Sequence, residues 1–191
     1  MNRFERSWAL AKASWSVLRS ERKLALLPVL SFVATILVVG VFGLAAWATV
    51  GKETGIDGKQ AYDPSLATWV LAACTYIGVA FVQTYFLAAL CAGANERLRG
   101  YDTTISRALG VANARLHRIL PWALVSATVS MVIQAIEERF GILGRVIGSV
   151  LGAGWAVLTF LAVPIIVFED VGPVTALKRS GTLLKQTWGE N

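Results

Sequence analysis

The sequence predicts an all-α polytopic helical membrane protein: one domain, 1–191, with four transmembrane helices in two hairpins and three cytoplasmic-face amphipathic helices. Three observations predict it. Four long apolar runs dominate a chain that is 55% apolar and 16% charged, against about 25% charged residues in soluble domains. One pattern occurs twice: Arg6-Ser7-x-x-Leu10-x-Lys12-x-x-Trp15 before the first run, and Arg179-Ser180-x-x-Leu183-x-Lys185-x-x-Trp188 after the last. Lysine and arginine crowd alternate connections. Six precede the first run, five separate the second from the third and three follow the fourth, so 14 of 18 lie on one side, with two in each remaining connection. The positive-inside rule then puts both termini and the middle segment in the cytoplasm.

Residues 3–19 suit a helix. Phe4, Trp8, Ala11, Trp15 and Leu18 fall on one narrow face at 3.6 residues per turn, with Arg3, Arg6, Lys12 and Arg19 off it. Large aromatics opposite basic residues describe a helix lying among headgroups, or one packed on its own bundle. After a basic junction, Leu24–Val50 is charge-free and reads as an uncleaved first transmembrane helix (24–50), far longer than the ~7–15 apolar residues of a signal peptide. Pro28 sits in its first turns, where a missing N–H costs little. Gly51–Asp63 reads as a loop, with Asp63-Pro64 as an N-cap and first helical position ahead of the second span (66–93). Gln83 is the most polar member of that span, suited to an interhelical hydrogen bond or to a solute path. Cys74 and Cys91 are ~25 Å apart on one helix and do not pair.

Asn95–Arg118 is polar and arginine-rich, with Asp102 or Thr103 as the expected cap of a second amphipathic helix (103–117). Its stripe is Ile105, Leu109, Ala112 and Leu116, and Arg107 stands as Arg6 and Arg179 do in their helices. The third span (119–136) carries Pro121 in its first turn, and a tight connection around Glu137–Gly141 leads to the fourth (142–168), where Arg145 snorkels. Gly144, Gly148 and Gly152 form overlapping Gly-x-x-x-Gly steps, candidate helix-packing positions facing the third span or a second copy of the chain. Pro164 interrupts the end of the span. Pro173 begins the last amphipathic helix (173–188), with Leu177, Leu184 and Trp188 on its stripe and Gly181 as a gap. By the repeat, a further hairpin is expected after Asn191.

Little chemistry is offered. No phosphate loop and no Gly-x-Ser-x-Gly elbow occurs, and the single histidine, His117, reads as an interfacial residue. No ionisable side chain falls mid-span, which argues against ion-driven transport. No catalytic, cofactor-binding or metal residue is assigned, and no cofactor is expected. Glu96 and Glu169-Asp170 end the second and fourth spans, read as salt bridges that fix the amphipathic helices or, alternatively, as a carboxylate pair. The candidate membrane-interface residues are Arg6, Trp8, Lys12, Trp15, Arg107, Arg179, Lys185 and Trp188.

At Phe4, Ser7-Trp8, Trp15, Leu18 and Pro28, and along Val163-Pro164, Phe168-Glu169-Asp170-Val171-Gly172-Pro173, Ala176–Ser180, Leu184 and Trp188-Gly189, the chain resembles an uncharacterised, actinobacterial-type family of integral membrane proteins. More distantly it is similar to the membrane domain that accompanies some glycerophosphodiester phosphodiesterases. The resemblance implies a bacterial plasma membrane, about six spans and no transferable active site. The expected function is a non-enzymatic scaffold or lipid-interacting module. Its expected partners are a bilayer with anionic headgroups and a membrane protein or second copy of the chain, not nucleic acid. The alternatives are a transporter component for a lipid or neutral solute, with a polar cavity at Gln83, Tyr85 and Gln134, and a hydrolase in which Glu96, Glu169 and Asp170 converge.

Overall fold

The computed structural model describes residues 8, 24–54 and 60–188. The predicted helix over 3–19, including Arg6, Lys12 and Trp15, lies outside the described residues apart from Trp8, which is helical and exposed. Four helical stretches are long and apolar enough to cross a membrane: α1 (Leu26–Ala48), α2 (Leu66–Leu98), α4 (Leu116–Arg139) and the stretch Gly141–Glu169, of 23, 33, 24 and 29 residues. A π-helical turn, Val39–Gly43, interrupts α1.

The predicted loop after α1 is instead a two-stranded antiparallel ribbon, β1 (Val50–Thr54) on β2 (Gln60–Pro64), with Val50 opposite Pro64 and Thr54 opposite Gln60. Its glycines signal breaks in the sequence and carry no strand alternation. Pro64 therefore ends a strand rather than starting a helix, as its missing N–H allows at a ribbon's edge. The cap of α2 is Ser65, whose Oγ accepts from the Thr68 backbone N–H at 3.3 Å. Ser65 also donates to the Thr49 carbonyl and Thr49 bonds Thr68, joining the ends of α1 and α2.

Helix α2 runs five residues past its predicted end, because Ala94–Leu98 continue it beyond the apolar run. It stops at Gly100, whose φ of 84° suits only glycine well. There the Gly100 N–H meets the Arg97 carbonyl and the Tyr101 N–H the Glu96 carbonyl, the paired bonds of a Schellman end.

Next comes α3 (Ile105–Ala114), shorter than 103–117. Its cap is Thr104, which accepts from Arg107 N–H, rather than Asp102 or Thr103. Thr103 is buried and donates to the Gly93 carbonyl. The stripe also differs. Ala108 and Ala112 are fully buried, Ile105 and Leu109 flank them, and Leu116 belongs to α4. Alanines on both sides (Ala88, Ala89 and Ala92 on α2) bring the two helices close. Because α4 begins at Leu116, Pro121 lies in its second turn, not its first.

The fourth span divides into α5 (Gly141–Thr159) and α6 (Ala162–Glu169). The break falls four residues before Pro164, whose ring displaces the i−4 carbonyl and whose nitrogen has no hydrogen to offer it. Gly144 and Gly148 are buried against α4: a Cβ on Gly144 would meet the Ile136 carbonyl at 2.6 Å, and one on Gly148 would collide with Glu137. Gly152 faces open space. Helix α7 (Pro173–Trp188) has the predicted bounds.

Candidate functional site

The sequence places basic residues at helix ends, and the fold brings those of the α3–α4 corner against the α6–α7 turn. The α3–α4 corner is a single residue, Arg115, followed closely by His117 and Arg118. These meet the α6–α7 turn. Asp170 takes the left-handed conformation there (φ 53°), a region that aspartate tolerates better than most residues. Arg115 pairs with its carboxylate at 2.6 Å, Arg118 at 3.4 Å, and His117 Nε2 lies 3.5 Å away. Arg115 Nε also donates to the Val167 carbonyl, one of the acceptors left open at the end of α6. Glu169 pairs with Arg179 at 3.5 Å.

Helix α7 is held from its other side by the repeated motif. Ser180 is fully buried and donates to the Leu158 carbonyl at 2.6 Å. Leu158 lies in the last turn of α5, where the break leaves carbonyls without helical donors. Gly181 is a close approach rather than a gap: a Cβ there would meet Leu158 at 3.3 Å. So Arg179 and Ser180 of the motif dock the helix, and Leu183 packs against the core. Lys178 and Lys185 stay exposed, as does Arg107 on α3. The side chain of Trp188 lies outside the described residues.

Of the three acidic candidates, Glu169 and Asp170 are committed to different arginines, and Glu96 keeps one carboxylate oxygen buried without a hydrogen-bond partner among the described residues. The short fourth-span turn and the polar middle segment had signalled salt bridging. Which arginine meets Asp170 had no local signal, because the partners are 52 residues apart.

A second feature lies within the spans. A cavity of about 840 Å³ opens between α2, α4 and the α5–α6 break. Gln83, Ser126, Ser130 and Phe160 line it, with Trp122 stacked on Trp155 at one wall (ring centroids 6.3 Å apart). Of the residues expected to converge on a polar cavity, Gln83 lines it. Gln134 reaches it only through a 3.3 Å bond to Tyr76, and Tyr85 bonds Asn113 on α3 instead. The serines carry no signal in the sequence, since single serines in an apolar run are ordinary.

A family model matches residues 66–191, described as a family of unknown function (DUF6159). No curated protein and no solved structure matches the chain.

Proposed function

The chain belongs to this family of unknown function, and from that premise we propose that it is a non-enzymatic scaffold or lipid-interacting module of a bacterial plasma membrane. In this reading the spans form two hairpins, both termini are cytoplasmic, and α3 and α7 are amphipathic helices on the cytoplasmic leaflet. The distant similarity to the membrane domain of glycerophosphodiester phosphodiesterases belongs to the same reading. The observation that carries it is the docking of α3 and α7 by small buried residues, Ala108, Ala112, Ala176 and Ser180, which leaves Arg107, Lys178 and Lys185 outward. The ion pairs at Asp170 hold the two helices at the same end of the bundle. A basic residue near an anionic leaflet contributes about 1 kcal/mol of attraction, so such a platform selects anionic headgroups.

The test is the full chain reconstituted with spin-labelled lipids. Spin-labelled phosphatidylglycerol should be retained at the protein surface over phosphatidylcholine at low salt. Replacing Arg107, Lys178 and Lys185 with alanine should weaken that preference, as should ~1 M salt, which shortens screening to about 3 Å. Equal retention of both lipids by the unmodified protein would sink the reading.

A further inference from the structure

The cavity plays no part in the surface platform. We propose that it is a binding site for a neutral membrane lipid: an uncharged amphiphile with a hydroxyl or carbonyl group and a long hydrocarbon chain. Four observations converge. Its volume, about 840 Å³, falls in the range of small-molecule sites, roughly 300–1,000 Å³. None of its lining residues carries a charge, so a phosphate or carboxylate would have no counter-ion there. Its walls are nevertheless not inert. The side chains of Gln83, Ser126 and Ser130 have no hydrogen-bond partner among the described residues, whereas Thr84 and Thr159, also in the wall, spend their hydroxyls on their own helices. Pro164, also at the wall, deprives the Phe160 carbonyl of its i+4 donor. A broken helix lining an intramembrane cavity is the arrangement in which irregular backbone is tolerated at that depth.

The shape selects a chain. Along α2 the lining runs from Tyr76 to Cys91, a helical rise of ~22 Å. That exceeds one leaflet, about half of a ~30 Å hydrocarbon core. Helices α2 and α5 make no extended contact with each other, so the gap between them opens sideways, with Leu87 and Phe160 exposed beside it. A ligand arriving through the hydrocarbon would place its polar group at Ser126 and Ser130, near the middle of α4, and its chain along α2. A hydrated solute is disfavoured because most of the wall is alanine, valine, leucine and aromatic side chains.

The experiment uses the full chain in phosphatidylcholine nanodiscs and a long-chain fatty alcohol bearing a diazirine. Irradiation should crosslink the alcohol saturably to peptides containing Ser126–Ser130 or Phe160–Pro164, and unlabelled alcohol should compete. Ser126→Ala with Ser130→Ala, which remove the hydroxyls without adding bulk, should weaken binding about fivefold per lost hydrogen bond. Ala127→Trp should obstruct the cavity and abolish labelling; if that variant fails to fold, the alanine pair decides. Arg107→Ala with Lys178→Ala and Lys185→Ala should leave labelling unchanged, so this proposal and the headgroup reading fail separately. Non-saturable labelling, labelling spread equally over outward-facing Phe32 and Val150, or equal competition by phosphatidylcholine or a matched fatty acid would overturn it.

Discussion

Asp170 carries two separable duties, and substitutions can divide them. Its backbone turns the chain from α6 toward α7 in a left-handed conformation, and its carboxylate receives Arg115 and Arg118. Asparagine keeps the turn and removes the charge. Because the side chain is about 39% exposed, screening trims the ion pairs, and Asp170→Asn should cost on the order of 1 kcal/mol. Asp170→Ala should cost about a further 1 kcal/mol for backbone strain. Unfolding midpoints in detergent should therefore rank wild type, Asn, then Ala. Ser180→Ala tests the other anchor. It leaves the Leu158 carbonyl without its side-chain donor, at a cost of about 1–3 kcal/mol by the same assay. The sequence made both residues conspicuous, one beside a proline-glycine turn and one in a repeat. It gave no route to their partners, which are 52 and 22 residues away.

At the scale of elements, the glycine stripe of α5 divides. Gly148→Leu would drive a side chain into Glu137 on α4, and should destabilise by several kcal/mol or prevent folding. Gly152→Leu meets nothing within 4 Å and should shift stability by less than about 0.5 kcal/mol. Comparable loss in both variants, measured by unfolding in detergent, would contradict the assignment of the stripe to the α4 interface. Spans, proline breaks and the bounds of α7 were legible because charge-free length and proline chemistry act locally. The stripe of α3 was legible only in part, with Ile105, Leu109 and Ala112 on the core face and Ala108 unforeseen, for the opposite reason. Periodicity weights large side chains, whereas its contact with α2 is made by alanines whose value lies in letting backbones approach. The β1–β2 ribbon left no trace in alternation, and two strands alone have little intrinsic stability to advertise.

For the whole molecule, the charge bias and the fold lead to one orientation experiment. With the topology proposed above, alkaline phosphatase fused after Gly58 should be active, and fused after Tyr101 inactive. The reverse pattern would invert the assignment of α3 and α7 to the cytoplasmic leaflet. The architecture was readable from the chain alone because each span declares itself by hydropathy. The cavity was not, since it exists only where α2 and α5 stay apart over α4, and no single run of sequence contains that gap.

The Arg115–Asp170 contact also has a consequence for synthesis. Its two halves leave the ribosome 55 positions apart. At roughly 5–20 residues per second, Arg115 and Arg118 wait about 3–11 s for their carboxylate. Through that interval the α3–α4 corner carries unneutralised positive charge, the property that retains a segment on the cytoplasmic side during insertion. Asp170 arrives only after the fourth span has been made, so in the proposed topology the charge that would orient the nascent chain is neutralised once that orienting work is over.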